Sequence, residues 1–303
     1  MRNAFAKTVI KLAKKDKKII LLSGDIGNNL FNEFRKKYRN RFYNCGIAEA
    51  NMTSVASGLA TLGLKPITYT IASFNTIRCL EQIRLDICYL NKPVIIVGTG
   101  AGLSYANLGS THHSVEDIGI LKNFPNLQIL CPSDPNETAI ALQLALKSKK
   151  PTYIRLGKKG EKNLNFDKKF NINQLNTVVK GKNKKLLIFT YGTIVSEVIK
   201  SVKLFNKNKI YPRIIKINSI STINKNEILK QINSFKKIAV VEEHSIINGF
   251  GSQIAEWCTL NGIAKKKFDI IGTPHKFLSS CGNLEEARDT FGLSARKIFS
   301  RLK

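Results

Sequence analysis

The stretch RFYNCGIAEANMTSVASGLATL, Arg41 to Leu62, decides how the rest of the chain is read. An apolar strand, Arg41 to Cys45, passes through the small-residue turn Gly46-Ile47-Ala48 into a helix that opens on Glu49. Small residues let the backbone approach a ligand closely. Met52 to Leu62 is apolar enough to bury Glu49, and a buried carboxyl can hold or pass a proton near neutrality. The helix dipole alone also favours a Glu in the first turn, so the neighbouring motifs must decide its role.

Outward from that stretch, short apolar runs alternate with helical segments. Ile19 to Leu22, Phe42 to Cys45, Pro66 to Thr70, Val94 to Gly98, Leu127 to Cys131 and Thr152 to Leu156 read as buried strands. This is the pattern of a parallel, doubly wound α/β sheet. Beyond Gly157 the composition turns polar and rich in Lys and Asn as far as Lys184, which reads as a linker with an edge strand near Thr177 to Val179. A second α/β domain starts with the strand Leu186 to Thr190 and the helix Val195 to Phe205. The helix Lys225 to Ile232, the strand Ile238 to Val241, and a helix opened by Asn248-Gly249-Phe250-Gly251-Ser252 follow. A last amphipathic helix, Asp289 to Leu302, is interrupted by Gly292. The expected division is therefore a first domain over 1–157, a linker over 158–184 and a smaller domain over 185–303.

With 303 residues, 43% of them hydrophobic, the chain can bury a core in each domain, and no apolar run is long enough to cross a bilayer. Its six cysteines form no C-x-x-C pair and gather no histidines, so neither a zinc site nor a disulfide framework is indicated. Reduced cysteines in apolar patterns point to the cytoplasm. The formal charge of +28 is spread along the chain in short runs such as Lys14-Lys15, Lys36-Lys37 and Lys158-Lys159. No basic stretch is interleaved with aromatics, so specific nucleic-acid binding is not expected; an acidic partner or phosphorylated substrates remain.

Three segments carry a family resemblance. GIAEANMTSVASGLATLGLKP, from Gly46, resembles the heart of the pyrimidine-binding domain of transketolases and deoxyxylulose-phosphate synthases. STHHSVEDIGILKNFPNLQILCPSDPNET, Ser110 to Thr138, resembles the next segment of that family, and VVEEHSIINGFGSQIAEWC, Val240 to Cys258, its C-terminal domain. The resemblance implies thiamine diphosphate as cofactor. It implies that Glu49 is the carboxyl on the pyrimidine ring nitrogen, that Phe74 stacks on the ring with Tyr69 as alternative, and that Asp25 and Ile47 lie near the cofactor. Through the Thr111-His112 pair it makes His112 the second catalytic residue, facing the reacting carbon and the substrate oxygens, with His113 behind it. Lys158, after the last strand of the domain, and Arg78 match positions that bind substrate anions.

Two departures shape the expected function. The family holds diphosphate and Mg2+ with Gly-Asp-Gly followed by Asn, because a hard cation needs oxygen ligands beside the phosphates. Here Gly24-Asp25 continues with Ile26. The chain thus resembles the C-terminal half of a split transketolase, which implies a companion N-terminal subunit that holds diphosphate and Mg2+, in an assembly with two copies of each. Pentose-phosphate transketolases also carry His after the Thr of the donor loop and Asp before the Gly preceding the Thr-His pair. Gly100 and Leu108 stand there, and Leu cannot replace a hydrogen bond to a sugar hydroxyl. The implied activity is transfer of a two-carbon ketol or acyl unit from a ketose or ketoacid to a sugar-type acceptor. The beta subunit of a 2-oxoacid dehydrogenase shares the layout and the Glu, and an inactive scaffold homologue is the third reading; Asn136-Glu137-Thr138 and the Thr-His pair favour transketolase.

Overall fold

A computed structural model describes residues 1–27, 29–166, 170–263 and 266–303. The first sheet comprises β1 (Ile19–Ser23), β2 (Phe42–Asn44), β3 (Lys65–Ile71), β4 (Ile95–Thr99), β5 (Gln128–Leu130) and β6 (Thr152–Leu156). All six are parallel, in the order β2-β1-β3-β4-β6-β5. β1, β3, β4 and β6 are almost wholly buried, as strands covered by helices on both faces must be. From β1 the chain moves outward to β2, then returns past β1 to β3, so the sheet reverses direction beside β1. Ligands bind in the crevice that such a reversal opens at the carboxyl ends of the strands.

The second sheet is smaller: β7 (Asn176–Val179), β8 (Leu186–Thr190), β9 (Arg213–Lys216), β10 (Lys237–Ser245) and β11 (Lys267–Thr273). Its order is β11-β10-β8-β9-β7, parallel except for the antiparallel edge strand β7. Both domains are α/β with mainly parallel sheets, as the alternating pattern predicts. The polar stretch expected as a linker is irregular over 157–166 and 170–175, and its Phe170 is buried against the core of the first sheet. Asp167 to Lys169, in that stretch, lie outside the described residues.

Three differences from the sequence reading have physical causes. β9 and β11 escape the apolar pattern because one is short with charged ends and the other is half-exposed over its first four residues. β10 runs on through Glu242-Glu243-His244, which sequence places past the strand, because each of those polar side chains is buried with a partner. The tail forms two helices, Leu284–Thr290 and Ala295–Leu302, because Gly292 adopts φ +80° between them.

The two domains share a polar seam. Arg155 pairs with Asp117 at 2.8 Å and also donates to the Glu243 carbonyl across the boundary. Tyr153 donates to the same Asp117 oxygen, and Lys216 of β9 is buried against Glu137 of the first domain. Buried charges of this kind are tolerated only when paired.

Candidate functional site

Gly46, at φ +68°, makes the sharp turn that delivers the chain from β2 to the helix Glu49–Thr61. Glu49, its first residue, is 3% exposed. Its Oε2 lies 2.7 Å from Nη1 of Arg78, a side chain that is itself partly in solvent. Its Oε1 faces Gly24, at the end of β1, where a Cβ would come within 3.5 Å of that oxygen and 2.9 Å of Thr70 Oγ1. Only a residue without a side chain lets the backbone pack this closely against Thr70 beside the carboxylate. Thr70 Oγ1, at that close approach, is buried and without a hydrogen-bond partner among the described residues.

From Glu49 the contacts run outward in one chain. The Arg78 guanidinium lies 4.1 Å over the half-buried Phe74 ring, and Phe74 meets the His112 ring at 5.2 Å between centroids, inclined by 60°. His112 continues to Tyr105 at 5.8 Å, and the Lys158 ammonium caps the Tyr105 ring at 4.2 Å. Glu49, Arg78, Phe74, His112 and Lys158, drawn from loops after four different strands, are thus one constellation.

Thr111 Oγ1 lies within hydrogen-bond distance of the Leu108 carbonyl, at 3.1 Å, and of His112 Nδ1, at 2.9 Å. With the hydroxyl proton on the carbonyl, Nδ1–H donates to Thr111 and Nε2 keeps its lone pair; with it on Nδ1, the tautomer is the reverse. Burial, then the positive charges of Lys158 and Arg78, hold the imidazole below its ordinary value, so it is neutral at neutral pH with a basic nitrogen available. Burial and the neighbouring Lys159 and Arg2 push Lys158 downward as well.

The remaining predicted residues sit apart from this chain. Asp25 is exposed; its amide donates to the Gly46 carbonyl and its carboxylate accepts from Asn44, which ties β1 to the turn before Glu49. Ile47 is 80% exposed at the same mouth. Tyr69 is buried in the core, stacked on Phe5 and edge-on to Phe31, and has no face to offer a ligand. His113 is buried behind the loop, with neither ring nitrogen partnered among the described residues.

Sequence reasoning missed Tyr105 as a member of the site. The signal was Gly100: at φ +74°, a Cβ there would stand 2.0 Å from the Tyr105 ring, so only glycine leaves room for that ring. The missing side chain at 100 is what makes room for the aromatic at 105. The contacts of Thr111 with His112 and of Gly24 with Thr70 and Glu49 were also invisible in the sequence.

Comparison with known proteins places the two domains in a family. Residues 1–161 match the model of the transketolase pyrimidine binding domain, and residues 176–298 that of the transketolase C-terminal domain. A subunit of apulose-4-phosphate transketolase from Phocaeicola vulgatus is 31% identical over 98% of this chain and 94% of its own length. A putative transketolase C-terminal section from Methanocaldococcus jannaschii is 31% identical over 100% of this chain and 95% of its own. Against 1-deoxy-D-xylulose-5-phosphate synthase from a Geobacillus species the identity is 29%, and the chain spans 47% of that protein. A solved structure described as a split gene transketolase, inactive beta4 tetramer, superposes with TM-score 0.85 at 28% identity, covering 99% of this chain and 96% of its own. Fold, order of domains and sequence all agree: this chain belongs to the transketolase family and comprises its pyrimidine-binding and C-terminal domains.

Proposed function

We propose that the chain is the pyrimidine-side subunit of a two-component, thiamine-diphosphate-dependent transketolase-like enzyme, which moves a two-carbon ketol unit from a ketose or ketoacid to a sugar-type acceptor. The observation that carries this reading is the buried Glu49 carboxylate at the head of the contact chain through Phe74 to His112. The residues fit an aminopyrimidine: a carboxylate for a ring nitrogen, an orphaned Thr70 hydroxyl, an aromatic wall in Phe74, and the bare backbone of Gly24 beside the carboxylate. When bound, the cofactor supplies a nucleophilic carbon and an electron sink for carbonyl chemistry.

The protein's own part is binding, orientation and proton handling. Glu49 holds the ring nitrogen, in exchange for its present contact with Arg78. His112 takes up or returns a proton at Nε2 and hydrogen-bonds substrate oxygens. Lys158 and the released Arg78 offer two positive charges, one on each side of His112, to an anionic substrate. Asp25 and Ile47 border the cofactor from the mouth of the site.

Diphosphate and Mg2+ fall to a companion polypeptide, because Gly24-Asp25 continues with Ile26 rather than Gly. The Phocaeicola relative, itself named as one subunit of its enzyme, and the split-gene neighbour support such a division, and we assign two copies of each subunit to the assembly. No helix among the described residues is long and apolar enough to cross a membrane, and the six cysteines are free thiols, which suits a reducing cytoplasm.

The test is Glu49→Gln in the chain reconstituted with a companion bearing Gly-Asp-Gly. Ketol transfer should fall by about 10²-fold or more, the range of a lost acid-base contact, with co-assembly unchanged. Full activity in Glu49→Gln overturns the assignment.

A further inference from the structure

The segment from Gly100 to Glu116 leaves the first sheet after β4 yet is rooted in the second domain. Leu103, Ala106 and Val115 are buried in one apolar cluster with Leu186, Ile188 and Val241 of the second sheet. The Leu103 amide donates to Oε1 of Glu243, on β10, at 2.9 Å. Glu243 Oε2 accepts from Arg288 at 2.6 Å, and Arg288 donates onward to Thr193. Further along, the Cys281 amide donates to the Ala106 carbonyl at 2.8 Å, and the Ser110 hydroxyl to the Leu278 carbonyl at 2.7 Å.

Two glycines show how closely the segment is fitted. A Cβ on Gly102 would stand 2.3 Å from Glu243 Oε1, and one on Gly109 would stand 3.4 Å from the Ser280 amide. Tyr105 lies between those two glycines and His112 just beyond the second. Both side chains that face the reaction space from this segment are therefore fixed by anchors from the other domain. A loop free to move spreads its side chains over many positions, whereas a reacting group must be held to within about 0.5 Å.

We propose that Glu243 is a positioning residue: with Arg288 and the 278–281 segment it clamps the Gly100–Glu116 loop, so that the second domain, which contributes no reacting group, sets the placement of Tyr105 and His112. A buried carboxylate costs free energy unless paired, and Glu243 spends one oxygen on the loop amide and the other on Arg288. Among the described residues, Glu242, its neighbour on β10, hydrogen-bonds only groups of its own domain: Tyr191 and the amides of Phe250 and Gly251. The inter-domain bond is thus particular to Glu243 within the pair.

The part of this inference that concerns turnover rests on the proposed function; the clamp itself does not. Its test is amide hydrogen exchange, together with the imidazole NMR signals of His112, in the full chain carrying Glu243→Ala or Glu243→Gln. In Glu243→Ala, exchange over 103–112 should accelerate about tenfold or more and the His112 signals should shift, while β1, β3 and the Glu49–Thr61 helix exchange as before. Glu243→Gln keeps an acceptor for the Leu103 amide and should recover part of the protection. Ser110→Ala, on an exposed turn, loosens the loop without burying anything; exchange should rise over 108–112.

In the two-subunit mixture, Glu243→Ala should lower kcat about tenfold with thiamine-diphosphate affinity within about twofold of wild type, because Glu49 and Phe74 are untouched. Wild-type exchange over the loop in Glu243→Ala or Ser110→Ala would overturn the clamp. Uniform acceleration across both domains would overturn it too, reducing Glu243 to a general stabiliser. A loosened loop in a chain that binds no thiamine diphosphate with any companion would uphold the clamp and count against the functional reading instead.

Discussion

At the scale of residues, Glu49 and His112 were legible as candidates because they sit in short contiguous strings, and the structure links them through Arg78 and Phe74. Tyr105 was not, because its place depends on a side chain absent five residues earlier. That dependence can be tested. Gly100→Ala puts a Cβ onto the Tyr105 ring at a position with φ +74°, so the ring must leave its seat under Lys158. The expected outcome is an increase in substrate KM of about tenfold with cofactor affinity unchanged, read from steady-state kinetics and calorimetry. Tyr105→Phe, which keeps the ring, should cost less. The histidines give a second prediction. Burial lowers His113, opposed by Glu243, and burial with Lys158 and Arg78 lowers His112, both below the ordinary 6.5. Between the folded value and 6.5 the unfolded chain binds more protons than the folded one, so stability rises with pH across that window and is lost as pH falls through it. Urea midpoints at about pH 7.5 and about pH 5.5 should differ in that direction, and His113→Gln should shrink the difference.

Among the elements, the buried strands were readable as apolar runs, since a strand covered on both faces needs little else. The carboxyl end of β10 was not. Glu242-Glu243-His244 has the composition of a surface turn, and it is strand only because Tyr191, Arg288, Gly119 and the start of the helix Phe250–Leu260 supply partners distant in sequence. Lys216 on β9 has the same history, buried against Glu137 from the other domain. Sequence patterning reports burial of apolar groups and is silent on long-range polar pairing. Glu242 is the sharpest case: its two oxygens accept from Tyr191 Oη and from the amides of Phe250 and Gly251 at 2.7, 2.9 and 3.0 Å. Glu242→Ala strands all three donors in the interior and should destabilise the protein by roughly 3–5 kcal/mol, the range for breaking buried charged contacts. Denaturant unfolding would measure it, with the m value unchanged.

For the whole molecule, the two-domain α/β plan was readable from the alternation of strands and helices, whereas the seam between the domains was not. The seam matters because it carries Asp117, Arg155 and Glu243 and so joins the second domain to the loop of His112. Tyr43, Ile47 and Ile77, on either side of Glu49 in sequence, are exposed apolar side chains. Exposed apolar groups on a chain of formal charge +28 suit the acidic companion proposed above. The proposed division of the cofactor site between this chain and a companion calls first for calorimetry of thiamine diphosphate with Mg2+ against three samples. These are this chain alone, the Gly-Asp-Gly-bearing companion alone, and the two mixed, with Glu49→Gln in the mixture as control. Tight binding is expected only in the wild-type mixture, weakened in Glu49→Gln; binding of equal affinity to either chain alone, or none in any mixture, would overturn the divided site.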